Sequence, residues 1–147
     1  MYDIEQVVRH RKPMLLIDEL INYTDISAQV RVTISEHCEF FNTRLDAVPS
    51  YIGIEYMAQC IAAYSGANDL DNEHKPQLGF LLGTRKYKPE VDKFYNGQTL
   101  IVSAEEIMSD SNGLSVFLCS ITDEGTSKQL ATAKINVFQP DNVGKQL

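Results

Sequence analysis

Between Tyr51 and Tyr64 the chain reads Tyr-Ile-Gly-Ile-Glu-Tyr-Met-Ala-Gln-Cys-Ile-Ala-Ala-Tyr, with Glu55 its only carboxyl group and Gln59 its only amide. A helix that is apolar on every face is a buried helix, so Glu55 is expected inside the protein. A carboxyl desolvated among Ile54, Tyr56 and Met57 has a raised pKa, which suits a general acid working near neutral pH. The competing role is structural: a partly exposed carboxylate, or one held by a Tyr or Arg. Residues 55, 59, 62 and 66 share one helical stripe reading Glu, Gln, Ala, Gly, along which a backbone or a ligand can approach closely. Gly53 and the N–H groups of the first turn offer a place for a carbonyl oxygen as negative charge develops on it.

Other chemistries find no support in the residues. Cys38, Cys60 and Cys119 are an odd number with no close pair, which argues for reduced, buried thiols rather than a disulfide framework or thiolate metal site. His10, His37 and His74 are scattered and form no paired-ligand spacing, so no metal is expected. Neither GxGxxG nor a phosphate loop occurs, and no cofactor is expected.

The elements that must position Glu55 follow from the patterning. Met14–Ile21 is an apolar run, and Ala28, Val30, Val32 and Ile34 alternate with polar neighbours; both predict strands. Pro49 and Ser50 stand as a helix start places them, ahead of one long helix over 51–70. Residues 69–77 predict a loop returning the chain to a second sheet region. Strands are then expected over 78–87, 99–108, 114–121 and 129–138, the last sixty residues forming an antiparallel meander. Asn96-Gly97, Asp110 to Gly113 and Asp123 to Gly125 supply the positive-φ turn positions.

With 147 residues, a net charge of -7 and 44% hydrophobic content, the chain predicts one domain over 1–147, and the order of strands and helix makes it α+β. Thirteen basic residues against 20 acidic ones speak against nucleic acid as a partner. The absence of a long apolar run speaks against a membrane span, and the cytoplasm is the expected compartment.

Three segments carry a family resemblance: His10-Arg11-Lys12-Pro13-Met14-Leu15-Leu16-Ile17-Asp18, Phe40-Phe41, and Pro49 to Gln59 with its Glu-x-Met-Ala-Gln helix. Together they resemble the hotdog-fold 3-hydroxyacyl carrier-protein dehydratases, whose motifs run PHRxPFLLxD, FFxGHFP and E-A-M-A-Q. The likeness continues through Gly79 to Tyr87 and Asn96 to Leu100. It implies a hotdog fold, an antiparallel sheet wrapped around the helix, usually as a dimer with active sites at the interface. It also implies an acyl chain delivered as a thioester on an acyl carrier protein. In the family a loop His acts as base at the carbon next to the thioester, and the helix carboxylate protonates the departing hydroxyl. Glu55 matches that carboxylate, and Gln59 would position it or the substrate.

The loop His is missing. Counting from the Phe pair puts Arg44 at its place, in a loop about three residues shorter than the family's. An arginine is protonated at every working pH and is no base. The possible substitutes are His10, whose family role is architectural, His37, better suited to a surface role, and Asp46 in the shortened loop. A narrower resemblance joins Leu82-Gly83-Thr84-Arg85 and Leu130 to Pro140 to the dehydratase-like proteins of bacterial aryl-polyene gene clusters, which implies a role for Gly83 beside the substrate. Those chains lack the GHFP loop and are expected to work beside a second hotdog protein that keeps its His. Three functions are therefore open: a dehydratase of 3-hydroxyacyl thioesters, a catalytically silent subunit paired with an active homologue, and a thioesterase. The dimer is left open as homo or hetero. Two basic clusters, Arg9, Arg11 and Lys12 and then Arg85, Lys86 and Lys88, fit either an acidic carrier or ordinary solvated strand edges.

Overall fold

The structure of the chain, a computed structural model, describes residues 1–74 and 81–138. A short helix α1 (Ile4–Val7) leads to strands β1 (Glu19–Tyr23), β2 (Ser27–Thr33) and β3 (Ala47–Pro49). A single 3₁₀ turn (Ser50–Ile52) then opens α2 (Gly53–Asp71). Five strands follow: β4 (Leu81–Pro89), β5 (Lys93–Tyr95), β6 (Thr99–Ser109), β7 (Leu114–Asp123) and β8 (Gln129–Phe138).

Six strands form one antiparallel sheet in the order β1-β2-β6-β7-β8-β4, and β3 pairs with β5 apart from it. The alternation read in the sequence sets which face goes in. Ala28, Val30 and Val32 on β2, Leu100, Val102 and Ala104 on β6, and Phe117, Cys119 and Ile121 on β7 are buried. Against this concave face lie Tyr56, Met57, Cys60, Ile61, Ala63 and Ala67 of α2, which packs on β2, β6 and β7. One long helix wrapped by an antiparallel sheet is the hotdog architecture the sequence predicts.

The expected meander is real for β6, β7 and β8, but β4 does not join it at β6. Instead β4 pairs with β8, while β2 runs in register with β6 from Ser27↔Glu105 to Thr33↔Thr99. Apart from the small β3–β5 pair, the strands before and after α2 share one sheet, because closing it around α2 brings the chain's two halves together through β2 and β6. The strand expected over 78–87 is described from Leu81 and runs on to Pro89; its first three residues, like the end of the loop at 75–77 and Gln139-Pro140, lie outside the described residues. The strand predicted from Met14 begins only at Glu19. Ahead of it the amides of Met14 and Leu15 both donate to the Arg11 carbonyl, turning the backbone before it can pair.

Gly97 and Gly113 take positive φ as the turns require, at 90° and 91°. In the β7–β8 turn the positive φ falls on Ser127 rather than on Gly125, because the Asp123 carboxylate accepts from the Thr126 amide and hydroxyl and winds the turn beyond the glycine. At the far end of α2, the hydroxyls of Tyr2 and Tyr23 both donate to the Asp71 carboxylate, tying the N-terminal segment and β1 to the helix end.

Candidate functional site

The helix stripe is filled by backbone rather than by ligand. A Cβ on Gly66 would overlap the Val7 carbonyl, so glycine is what lets α1 lie against α2. About two turns earlier, Gln59 is 4% exposed and uses both ends of its amide. Its Nε2 donates to the Met14 carbonyl at 2.7 Å and its Oε1 accepts from the Leu16 amide at 2.8 Å. The N-terminal segment thus runs along the stripe from Gly66 to Gln59 and turns away toward β1 before it reaches Glu55. Gln59 thus holds that segment against the helix. Replacing it with Leu removes both partners from backbone groups that are only partly reached by water. The expected loss is about 2 kcal/mol, read as a lower midpoint in urea unfolding at an unchanged slope.

Glu55 itself is exposed in the single chain, which corrects the expectation of a buried carboxyl. Among the described residues its carboxylate makes no hydrogen bond or ion pair. Gly53, Tyr56 and Met57 of the same turns are buried, while Tyr51 of the preceding 3₁₀ turn is 67% exposed.

Gly53 is needed for packing, not as an open donor. Its amide donates to the Ser50 carbonyl within the 3₁₀ turn, and a Cβ there would overlap the Tyr87 hydroxyl and stand 2.9 Å from Ile121 Cδ1. The Tyr87 hydroxyl donates to that same Ser50 carbonyl, and burial pushes its pKa up to about 12. Tyr87, which sequence reading missed, therefore couples strand β4 to the turn that sets the direction of α2, five residues before Glu55.

The shortened loop is a closed unit of its own. Asn42 and Ala47 form a bridge, and the Asn42 side chain accepts from the amides of Arg44 and Leu45. Arg44 is exposed at its tip. Asp46 takes a positive φ of 52° and its carboxylate accepts from Asn96 Nδ2 at 3.0 Å, so it fastens the loop to the β5–β6 turn instead of standing free as a base. His37 is an exposed side chain 3.7 Å from Glu36. His10 is partly buried, with an Nδ1 that has no hydrogen-bond partner. None of the three is hydrogen-bonded to Glu55. Gly83 lies on β4 opposite Asn136, where a Cβ would meet only ordinary contact at 4.0 Å. The cysteines divide: Cys60 and Cys119 are buried thiols whose pKa burial raises, whereas Cys38 is only partly covered.

A cavity of about 300 Å³ opens between the N-terminal segment and the end of β2, lined by Lys12, Leu16, Asp18, His37, Cys38 and Tyr56 among others. Burial, with smaller effects from Cys38 and Asp18, pushes the pKa of Tyr56 well up; partial desolvation also raises Asp18, against the Thr33 amide that its carboxylate accepts. Glu55 does not line this cavity, so the cavity and the carboxylate are separate features.

One long central helix wrapped by an antiparallel sheet defines a hotdog-fold protein. The profile of the ApeP-like family, described as ApeP dehydratase, matches residues 2–147. The chain belongs to that family, and so stands with the dehydratase-like proteins of aryl-polyene clusters. Among solved structures it is similar to the dehydratase heterocomplex ApeI:P from Xenorhabdus doucetiae, at 25% identity over 97% of this chain and 94% of that one, with a TM-score of 0.86. It is also similar to the 3-hydroxyacyl-(acyl-carrier-protein) dehydratase FabZ of Chlamydia muridarum, 30% identical over 118 residues, covering 76% of this chain and 74% of that protein. The FabZ of Streptococcus uberis is 36% identical over 89 residues; the match spans 58% of this chain and 61% of that protein's length. No described helix is long and apolar enough to cross a membrane.

Proposed function

We propose that this chain is one subunit of a two-chain dehydratase, paired with a second hotdog protein and acting on 3-hydroxyacyl groups held as thioesters on an acyl carrier protein. What carries this reading is an incomplete pair of groups: Glu55 is presented at the surface, and the family resemblance puts Arg44 where the loop His would stand. Loss of water needs a base to take the proton next to the thioester and an acid to protonate the departing hydroxyl. A protonated guanidinium cannot do the first.

The second subunit supplies the base and covers the start of α2. Contact with it covers Glu55, so the enclosed carboxyl expected from the sequence arises in the pair. Strand β4 offers a route for pairing, since it ends the sheet and an open edge can be extended by another strand. The heterocomplex similarity supports the same arrangement. We place the reaction in the cytoplasm, which suits three free cysteines.

The test is an assay of the purified chain on a 3-hydroxyacyl carrier thioester, alone and mixed with the hotdog protein encoded beside it. Enoyl product is expected only from the mixture. An equal rate from the chain alone would overturn the pairing, and release of free thiol would make the activity thioester hydrolysis.

A further inference from the structure

Of the three thiols, Cys38 alone is within reach of solvent. Cys60 and Cys119 are buried, and burial holds both as neutral thiols, which do not attack disulfides. Cys38 is partly covered and stands in the wall of the cavity of about 300 Å³ between the N-terminal segment and the end of β2. Its Sγ has a local task there. It donates to the Thr33 carbonyl at 3.2 Å and accepts from the Ser35 amide at 3.4 Å, closing the turn in which β2 ends. The Phe41 amide donates to the Cys38 carbonyl, so the same turn leads into the loop tipped by Arg44.

A second observation points to a ligand beside this sulfur. A buried phenol ordinarily has a hydrogen-bond partner. Tyr56 is 1% exposed, yet among the described residues its hydroxyl makes no hydrogen bond. That hydroxyl feels the charges of Cys38, Asp18 and Tyr87, the first two in the cavity wall, so it faces the space next to Cys38. A donor aimed into a cavity without a protein partner is a place for a ligand atom. Charge in the wall is mixed, with Lys12 and His37 against Asp18 and Glu39. A bare anion or a wholly apolar molecule would leave half of these groups unmatched, whereas a molecule carrying both an ammonium and a carboxylate group suits them. The volume, at the lower end of small-molecule pockets, has room for a short peptide.

We propose that Cys38 is a site of reversible S-thiolation, forming a mixed disulfide with a small thiol that bears both amino and carboxylate groups and whose body the cavity receives. The Cys38 thiolate attacks one sulfur of that thiol's symmetric disulfide. The new S–S bond forms as the old one breaks, and the departing half leaves as a thiolate that takes up the proton Cys38 gave away. Cys38 is oxidised and the departing half is reduced, so no other oxidant enters. The adduct removes the S–H donor from the Thr33 carbonyl and loosens the turn between β2 and the Arg44 loop. The modification stands independently of the dehydratase reading.

The test treats the purified full chain, alone and in complex with its partner subunit, with glutathione disulfide and follows this chain by intact mass and peptide mapping. One glutathionyl group on Cys38 is expected in both, released by dithiothreitol, with none on Cys60 or Cys119 while the chain is folded. Cys38→Ser is expected to take none. Relative to their rates on an unstructured cysteine peptide, glutathione disulfide is expected to react roughly threefold faster than the neutral 2-hydroxyethyl disulfide, the gain one exposed ion pair supplies. Lys12→Gln, and Tyr56→Phe with its packing ring kept, are each expected to reduce that preference. In the adduct, hydrogen exchange at the Ser35 amide is expected to rise about tenfold as the turn opens locally. Failure of the folded chain to form the adduct, modification of Cys60 or Cys119 at the same rate, or no preference over the neutral disulfide would each overturn the proposal. An adduct that forms on the single chain but not in the complex overturns it as well, because the thiol is then covered by the partner.

Discussion

In the assembled pair, Glu55→Gln is expected to lower dehydration turnover by roughly 10²- to 10⁴-fold, the range a positioned general acid contributes. The substitution keeps the shape of the side chain and its capacity to accept a hydrogen bond, and removes only the proton it delivers. Because Glu55 is exposed and makes no hydrogen bond or ion pair among the described residues of the single chain, the swap should leave stability within about 0.5 kcal/mol. An unchanged melting temperature with lost turnover and a similar KM would therefore mark a group acting in the transition state. Full activity in the variant pair would reduce this chain to a silent subunit that shapes its partner's site.

The largest structural effect is expected from Gly66→Ala. An alanine inside a helix is ordinarily favoured over glycine by about 1 kcal/mol. Here the new methyl would overlap the Val7 carbonyl oxygen and stand 2.7 Å from its carbon, and the obstacle is backbone that cannot rotate aside. Either α2 shifts within a packed sheet, or α1 lifts away and exposes Val7 and Val8, both 1% exposed in the native fold. Exposing two buried valines costs about 3 kcal/mol or more, which outweighs the helix gain. The melting temperature should fall by roughly 5 to 10 °C, measurable by calorimetry. A neutral or stabilising result would mean that α1 does not lie against Gly66 in solution.

The two substitutions also separate what kinds of feature were legible in the residues. The stripe of Glu55, Gln59, Ala62 and Gly66 was readable because helical periodicity is a local property, and its small residues correctly implied a close neighbour. That the neighbour is the chain's own N-terminal segment required a contact between residues nearly sixty positions apart. Tyr87 shows the same limit. Nothing in its strand marks it, and only the missing Cβ of Gly53 and the Ser50 carbonyl reveal why a phenol stands there. The short elements α1, β3 and β5 escaped prediction because three or four residues cannot display a period.

The sequence by itself determined an α+β fold with one long helix, the inward row of β2, the strands that follow the helix, and a resemblance that puts Arg44 where the family's loop His stands. These follow from local chemistry: side-chain periodicity, turn residues and the fixed charge of a guanidinium. Only the tertiary structure decided that β4 lies beside β8, that Gln59 serves the Met14–Leu16 backbone, and that Glu55 emerges at the surface. Those outcomes depend on how the sheet closes around α2, and closure brings together residues far apart in the chain. An apolar helix records that it must be covered; whether the cover comes from its own chain or from a second subunit is written in the geometry of the whole.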